Sequence, residues 1–259
     1  MNTPVICFGQ QPCGFFPKRF LVAKIRTARA LQNQLGGRIV FFYHDSDADY
    51  RETITLMQDR ATGAEARLNF TQENKVQKKY SPLYLKRVPK AWKAEILKQL
   101  PRFMDKNLMD IFGTVNAATA ADFCLDMYEK IGILEGIEVV RSSDKAFREK
   151  ALELSGEYYA DIPYQGEVVR AKISEGNSAS LHEGGGKFIS MPLPEKIEKW
   201  QKNPGRDQRF AWMNSVIGCT HYIWGAGEQN YMDTQAAPGV KFVDREEISD
   251  PGHAWIELT

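Results

Sequence analysis

The N-terminal part of the chain combines two continuous apolar runs with one amphipathic segment between them. Residues 4–8 and 38–43 show little polar alternation, which is typical of strands that are covered on both faces of a parallel sheet. In residues 19–35 apolar side chains recur every three or four positions before Gly36-Gly37, which predicts a helix and its end. A strand, a crossover helix and a strand of these lengths predict the right-handed start of a Rossmann-like fold.

The middle of the chain predicts a hairpin followed by a helical insertion. Residues 53–57 and 66–70 have strand-like patterns and flank a glycine-containing turn. Helical spacing then dominates residues 71–135, where we expect an amphipathic helix interrupted near Pro101 and a second helix over residues 116–134.

The remainder of the chain returns to short apolar strands and amphipathic helices, with a glycine- and serine-containing loop at residues 174–186. The predicted strands are residues 137–140, 166–173, 187–191, 220–224, 240–243 and 254–258, and the predicted helices are residues 145–154, capped by Ser143 or Asp144, and residues 207–217. The fold prediction is therefore a single Rossmann-like α/β domain over residues 1–259, with a mostly parallel sheet and the helical insertion of residues 71–135 within it.

The charge balance argues against two broad classes of protein. Lysine and arginine total 34 against 33 aspartate and glutamate, a formal net charge of +1, so neither a nucleic-acid coat nor a membrane-surface protein is indicated. The apolar runs are far shorter than the ~20 residues of a membrane helix. The N-terminus lacks the basic and apolar regions of a signal peptide, and we expect a cytoplasmic protein.

The cysteines and histidines show no metal-binding spacing. The four cysteines lack CxxC spacing and the four histidines form no HxxxH or HxH array, so we expect free thiols and no transition-metal site. Cys7, Cys124 and Cys219 lie in apolar runs and are predicted core residues. Cys13 lies in a loop before a basic helix start, where a thiol pKa can be lowered.

The loop after the first predicted strand is a candidate ligand site. In open α/β sheets ligands bind beyond the carboxyl ends of the strands, and residues 9–14 follow such an end. Gly9 lets the backbone approach a ligand, and Gln10 and Gln11 can donate and accept hydrogen bonds. The start of the next helix would offer free N–H groups to an anion. The alternative interpretation is a tight turn with two solvated glutamines.

The loop after the second predicted strand, residues 44–52, is acidic at alternate positions. Asp47 and Asp49 can hold Mg²⁺, bind an amine substrate or act as a base, and His44 opens the loop. Two neighbouring carboxylates repel each other, which would raise the pKa of one of them unless a cation joins them. The alternative is a helix N-cap cluster in which Asp47 or Asp49 is the cap.

A third loop follows the predicted strand at residues 220–224. Gly225 and Gly227 permit close backbone contact with a ligand, and Glu228 can reach an amine or a ribose hydroxyl, with Tyr231 close behind. The alternative is a structural turn with a helix-capping glutamate. Because all three loops follow apolar strands, we expect them to line one pocket at the carboxyl edge of the sheet.

Basic residues are concentrated in the predicted insertion. Residues 71–110 contain ten lysines and arginines against four aspartates and glutamates. The simplest interpretation is a solvated helix face. Tyr80, Tyr84 and Trp92 lie among these charges, and an RNA-binding surface is the alternative.

The three loops, in this order, resemble the bacillithiol synthase family in a short form without its C-terminal coiled coil. The resemblance begins with Gly9-Gln10-Gln11-Pro12 and continues at residues 47–52, where the family looks like Asp-His-Asp-Phe-x-Glu. It then takes in residues 225–228 with Tyr231, and it is thin between the loops. Ala48 stands where the family has histidine, although His44 is close by.

The resemblance implies a Rossmann-like core of the nucleotidylyltransferase and class I aminoacyl-tRNA synthetase superfamily, with a helical connecting insertion. Members of the family are assigned the joining of cysteine to glucosaminyl-malate, the last step in the synthesis of a low-molecular-weight thiol. The resemblance therefore implies a carbon–nitrogen ligase. As cofactors we expect ATP or another adenine nucleotide, and Mg²⁺.

The leading hypothesis is an enzyme that joins an amino acid to a small amine-bearing substrate. The catalytic candidates are His44, Asp47 and Asp49, and the substrate-binding candidates are Gly9, Gln10, Gln11, Gly225, Gly227, Glu228 and Tyr231. We expect a small-molecule partner, and neither a membrane nor a nucleic acid; the oligomeric state is left open. The alternatives are a non-catalytic nucleotide- or metabolite-binding protein and an RNA-binding module.

Overall fold

The computed structural model describes residues 3–174, 178–235 and 237–257. The strands of these residues are β1 (Val5–Gln10), β2 (Arg38–Tyr43), β3 (Thr55–Gln58), β4 (Glu65–Leu68), β5 (Ile137–Arg141), β6 (Tyr158–Tyr164), β7 (Glu167–Ser174), β8 (Ser178–Gly184), β9 (Lys187–Met191), β10 (Lys202–Asn203), β11 (His221–Trp224) and β12 (Lys241–Asp244). The α-helices are α1 (Arg19–Leu35), α2 (Lys75–Tyr80), α3 (Trp92–Gln99), α4 (Lys106–Thr114), α5 (Ala120–Lys130), α6 (Lys145–Lys150), α7 (Arg209–Ile217) and α8 (Ala226–Gln229).

Five parallel strands form the main sheet, in the spatial order β12-β11-β1-β2-β5. The first strand of the chain lies in the middle, so the direction of winding reverses between β1 and β11. In open parallel sheets this reversal opens a crevice beyond the carboxyl ends of the strands. The predicted α/β fold with a parallel, Rossmann-like sheet is confirmed, and the nucleotidylyltransferase-like superfamily stays a prediction.

Both faces of this sheet are covered, which explains its continuous apolar strands. On one face Ile6 and Phe8 of β1 belong to a core with residues of α1 and of the helices α3, α4 and α5. On the other face Cys7 of β1 and Phe42 of β2 belong to a core with Phe147 of α6 and residues of α7. Successive strand residues point to opposite faces, so a strand covered on both sides has to be apolar throughout.

The chain between β2 and β5 contains the predicted hairpin and helices. β3 and β4 pair in antiparallel register, and α2 to α5 lie within residues 71–135. Pro101 lies between α3 and α4, where the interruption is predicted. The second helix is shorter than predicted, because the Thr119 side chain accepts a hydrogen bond from the N–H of Asp122 and caps α5 there.

A second sheet, which is antiparallel and has the order β10-β6-β7-β8-β9, is missing from the sequence prediction. The predicted loop at residues 174–186 is wrong over Ser178–Gly184, which form β8, while residues 175–177 lie outside the described residues. Ala160 and Val169 lie in one apolar cluster with Tyr80 of α2. Tyr159 and Arg170 occupy the alternate positions, which places them on the other face of the sheet.

Two predicted element ends are wrong as well. Asp144 caps α6, as predicted, but the helix ends at Lys150 rather than at residue 154. Near the C-terminus Ala254 makes only an isolated bridge to Lys18 instead of beginning a strand, and residue 258 lies outside the described residues. None of the helices in the described ranges has the length and apolar character needed to cross a membrane.

A buried ion pair joins the second sheet to the first. Arg148 of α6 and Asp161 of β6 approach to 2.7 Å, and each side chain is only 1 % exposed. Tyr84 donates its hydroxyl hydrogen to the same carboxylate at 2.9 Å, and Nε of Arg148 donates to the carbonyl of Ser142 at 2.7 Å. Because Ser142 directly follows β5, this network fixes β6 beside the carboxyl edge of the parallel sheet.

Candidate functional site

A cavity of about 1100 Å³ lies at the carboxyl edge of the parallel sheet, where the winding reverses. Gly9 and Gln10 line it from the end of β1, and Gly225 lines it from the end of β11. The antiparallel sheet contributes Tyr159 and Arg170 to the same lining. Small-molecule sites have volumes of roughly 300–1,000 Å³, so the cavity is large enough for a nucleotide-sized ligand.

The structure brings together the candidate residues of all three loops. The following ten line the cavity: Gly9, Gln10, Gln11, His44, Asp47, Asp49, Gly225, Gly227, Glu228 and Tyr231. They meet because the loops after β1, β2 and β11 leave a parallel sheet at the same edge. Their catalytic and binding roles stay predictions.

The first loop differs from its predicted chemistry in two ways. The start of α1 does not offer free N–H groups, because Arg19 donates to the carbonyl of His253 at 2.9 Å and Phe20 donates to that of Pro251 at 3.1 Å. The lowered thiol pKa considered for Cys13 is not found either. Cys13 is fully buried, and this burial raises the pKa of its thiol. The four cysteines are free, as predicted, and the predicted burial of Cys7, Cys124 and Cys219 is confirmed.

The carboxylate of Glu228 holds two loops together. It accepts hydrogen bonds from the Tyr222 hydroxyl at 3.0 Å, from the N–H of Gly225 at 2.9 Å and from Nζ of Lys24 at 2.5 Å. Lys24 also donates to the carbonyl of Gly9 at 2.8 Å. With three donors already bound, Glu228 fits the capping alternative better than the binding of a substrate amine.

The acidic loop forms turns rather than the start of a helix, so the helix-cap alternative is wrong for residues 44–54. Oδ1 of Asp47 accepts from the N–H groups of Ala48 and Asp49, at 2.6 and 3.3 Å. Its Oδ2 accepts from the Gln11 amide at 3.3 Å and lies 3.6 Å from the Arg209 guanidinium. The Asp47 carboxylate therefore lies between the first loop and α7.

Neither aspartate has a raised pKa, because other groups outweigh the repulsion that Asp47 exerts on Asp49. Burial acts to raise the pKa of Asp47, but the guanidinium groups of Arg170 and Arg209 outweigh it and hold the pKa well below its usual range. Burial also acts to raise the pKa of Asp49, and its hydrogen bonds with Arg51 lower it overall. Both carboxylates are therefore ionised at neutral pH.

His44 is a buried histidine without a partner for its ring. It is 2 % exposed and stacks on Phe42 with ring centroids 5.9 Å apart. Within the part of the chain that the structure describes, neither ring nitrogen has a hydrogen-bond partner. Burial and then the charge of Arg209 hold the pKa of His44 well below its ordinary value, so the imidazole is neutral at pH 7. An unpartnered buried polar group costs about 1–3 kcal/mol, which a ligand in this cavity can offset.

The sequence analysis missed the charged residues that complete the cavity. Arg170 comes from β7, Arg209 is the first residue of α7, and Arg206 precedes that helix. Glu52 belongs to the acidic loop, and burial raises its pKa. Only Glu52 had a sequence signal, because it lies among the alternating carboxylates; the arginines are far from the three loops along the chain.

The expected Mg²⁺ cofactor and the alternative of an RNA-binding surface gain no support from the site. Among residues 3–174, 178–235 and 237–257, no group of three or more His, Cys, Asp and Glu side chains is arranged to hold a metal ion. Trp92 and Tyr80 are 1 % and 6 % exposed, so they do not form a platform on which RNA bases could stack. Tyr84, the third aromatic residue of that alternative, uses its hydroxyl on Asp161.

Comparison with known proteins leaves the family open. No protein-family model matches the chain, and no curated protein is significantly similar to it. The resemblance to bacillithiol synthases therefore stays a prediction, and the geometry of the cavity has to support any proposal about function.

Proposed function

We propose that the protein is a ligase that joins an amino acid to an amine-bearing small molecule, with an adenine nucleotide bound in the same cavity. The observation that carries this proposal is the neutral His44 and the ionised Asp47 in one loop at the reversal point of the sheet. An amine nucleophile needs one group to accept its proton and one to hold its charge. By the resemblance, the amino acid is cysteine and the amine is glucosaminyl-malate.

In the proposed reaction the amine nitrogen attacks the carboxyl carbon of the amino acid, and the bond from that carbon to its activated oxygen breaks. Asp47 holds the ammonium form of the substrate as it binds, since its lowered pKa keeps it ionised. His44 takes the proton that nitrogen gives up as the carbon–nitrogen bond forms. Glu52, whose pKa is raised by burial and which lines the same cavity, takes the earlier proton that the ammonium has to lose before its nitrogen can attack.

The cavity suits a nucleotide better than it suits a magnesium ion held by the aspartates. Its volume of about 1100 Å³ leaves room for a nucleotide beside a second substrate. When bound, the nucleotide supplies the phosphoryl group that turns a carboxyl oxygen into a leaving group. Asp47 and Asp49 already accept bonds from backbone N–H groups and from Gln11 and Arg51, so they do not form a free pair of Mg²⁺ ligands. We give Mg²⁺ no role in these steps.

Incubation with ATP, cysteine and glucosaminyl-malate, followed by mass spectrometry, tests the proposal. We expect a product lighter by one water than the two substrates together, and one ATP cleaved for each product formed. His44→Gln should lower kcat by about 10²–10⁴-fold, as expected for the loss of a general base. His182→Gln removes another histidine of the cavity lining and is the matched control.

Failure to find a product in a folded, ATP-binding protein would contradict the ligase proposal, provided that other amino acids and amino sugars also give none. A non-catalytic metabolite-binding protein is then the second candidate. Two features favour a non-catalytic protein. The Asp49 carboxylate is already bound by Arg51 at 2.6 Å, and Ala48 stands at the position where the family has histidine. Saturable binding of ATP or of an amino sugar without turnover would decide for it.

A further inference from the structure

We propose that Arg170, Arg206 and Arg209 form an oxyanion subsite of this cavity, which takes a phosphate or carboxylate group of the ligand. The subsite borders Asp47, which lies 3.6 Å from Arg209, and its proposed role is to bind an anion rather than to react. The inference rests on the proposed function only in taking the cavity as the substrate site, and it concerns binding rather than turnover.

A Rossmann-like fold would commonly hold an anion at the start of α1, but the N–H groups there already have hydrogen-bond acceptors. Residues 251–255 run along it, so that the carbonyls of Pro251 and His253 accept the N–H groups of Phe20 and Arg19. The next N–H, that of Leu21, donates to the carbonyl of Lys18. These three N–H groups are therefore not free to bind an oxyanion in this cavity.

The charges that line the cavity leave a surplus of arginine. Seven cationic side chains line it, and four of them pair with carboxylates within 4.0 Å. The pairs are Lys24 with Glu228, Arg51 with Asp49, Lys79 with Glu183, and Arg209 with Asp47. Arg170, Arg206 and Arg245 have no carboxylate partner among the described residues. Within the described ranges, the charges of these three arginines are therefore not neutralised by a carboxylate in direct contact.

Aromatic rings hold two of these arginines in place. The Arg170 guanidinium lies 3.6 Å from the ring centroid of Tyr159, and its NH2 donates to the carbonyl of Pro204 at 3.3 Å. The Arg206 guanidinium lies 5.4 Å from the ring centroid of Tyr231. Guanidinium groups that are stacked in this way keep their edges free for bidentate bonds, and less conformational entropy is lost when a ligand binds.

Two buried donors of the cluster also lack a partner. Nε of Arg170 and Nε of Arg209 are inaccessible to water and have no acceptor in the described ranges. Buried donors of charged groups are costly when they are left unpaired. A ligand oxyanion at this cluster would draw the guanidinium edges toward it and offset that cost. The subsite joins β7 of the antiparallel sheet to the start of α7.

Calorimetric titration with inorganic phosphate, ATP and succinate tests the subsite. We expect at least one of these anions to bind, and Arg170→Met and Arg209→Met each to weaken it by about tenfold or more, as expected for a lost charge-assisted hydrogen bond. Arg170→Lys should recover only part of the affinity, because an ammonium group cannot make the planar fork. Arg51→Met removes an exposed arginine of the cavity rim and should leave the affinity within about twofold.

The ligand panel also identifies the anion. Tighter Arg170-dependent binding of inorganic phosphate than of succinate assigns the subsite to phosphate, and the reverse assigns it to carboxylate. Binding of phosphate or succinate that depends on Arg170, in a protein without ligase turnover, supports the subsite while the proposed function fails. Thermal melting shows which variants are folded, and Arg206→Met replaces any variant that is not. Equal affinity of the folded variants and the parent, or no binding of any anion, would overturn the inference.

Discussion

The parallel and antiparallel sheets contribute to the cavity in different ways. The parallel sheet is apolar on both faces, and it reaches the cavity at its carboxyl edge, through strand residues such as Gly9 and Phe42 and through the loop of Gly225. The antiparallel sheet buries one face and leaves the other polar, so Tyr159 and Arg170 reach the cavity from within strands. One sheet thus supplies backbone and loop groups, whereas the other supplies charge on a fixed surface.

Replacement of Arg148 tests whether the two sheets depend on each other. Arg148→Met leaves the Asp161 carboxylate buried without its ion-pair partner and should lower the free energy of unfolding by about 3–5 kcal/mol. Urea denaturation measures this loss. Lys106→Met removes an exposed ion pair with Asp110 and is the control, with an expected cost below about 1 kcal/mol.

A loss for Arg148→Met no larger than that of the control would show that other contacts hold the antiparallel sheet in place. The double variant Arg148→Met with Asp161→Leu sharpens the test. Apolar residues of similar volume often replace a buried ion pair at little cost, so the double variant should be more stable than the single one.

Replacement of Gly9 tests the parallel side of the cavity. A Cβ at this position would lie 2.8 Å from the hydroxyl oxygen of Tyr222, which donates to Glu228. Gly9→Ala should therefore cost about 1–3 kcal/mol through this overpacking. In a Tyr222→Phe background the hydroxyl is gone, and the same substitution should cost much less. Equal costs in both backgrounds, measured by urea denaturation, would rule out this clash as the cause.

The sequence was informative about the parallel sheet because its strands carry an unambiguous signal. Residues 39–43 are apolar without a break, and the spacing of apolar residues in α1 predicts both ends of that helix. The antiparallel strands mix polar and apolar residues over short lengths. β6 contains Asp161 and Pro163, and β8 lies in a segment whose glycines and serines are typical of a loop.

The part of the candidate site that the parallel sheet contributes could be predicted from the sequence, and the part that the antiparallel sheet contributes could not. Three loops that follow apolar strands must share an edge, and this argument placed His44, Asp47 and the glycines in one cavity. No local pattern links Arg170 or Arg209 to those loops, because they meet them only through the position of the antiparallel sheet and α7. The capping of α1 by residues near the C-terminus was equally hidden, since it depends on a contact between the two ends of the chain.

The dependence of the free energy of unfolding on pH tests the burial of His44, which lies between the two sheets. In the unfolded chain its pKa is about 6.5, whereas burial and the nearby guanidinium of Arg209 hold it well below that value in the folded protein. Below pH 6.5 the unfolded state therefore binds a proton that the folded state does not. The free energy of unfolding should fall with decreasing pH, by up to about 1.4 kcal/mol per pH unit from this group.

His44→Phe should remove this contribution between about pH 6.5 and pH 5, above the range in which Asp47 titrates. Urea denaturation at several pH values gives the slope for each protein. His221, whose pKa is also lowered by burial, contributes equally to parent and variant, so their difference isolates His44. Parallel slopes for the two proteins would mean that His44 becomes protonated in the folded state as readily as in the unfolded one.

Asp49→Asn should have the smallest effect, although Asp49 has the same charge as Asp47 and lies two residues away. The Asp49 carboxylate is 32 % exposed and pairs with Arg51, which is 71 % exposed. Exposed ion pairs contribute about 0–1 kcal/mol, so the free energy of unfolding should change by no more than that.

Asp47 instead faces the arginines of the antiparallel sheet and α7, so Asp47→Asn should change ligand affinity where Asp49→Asn does not. Thermal melting and titration of both variants with ATP and an amino sugar compare them. The contrary result would be a folded Asp49→Asn variant that no longer binds the ligand and an Asp47→Asn variant that still does. The exposed carboxylate of Asp49 would then be the one that binds the ligand. The proposed role of the arginines around Asp47, which come from the antiparallel sheet and α7, would be wrong.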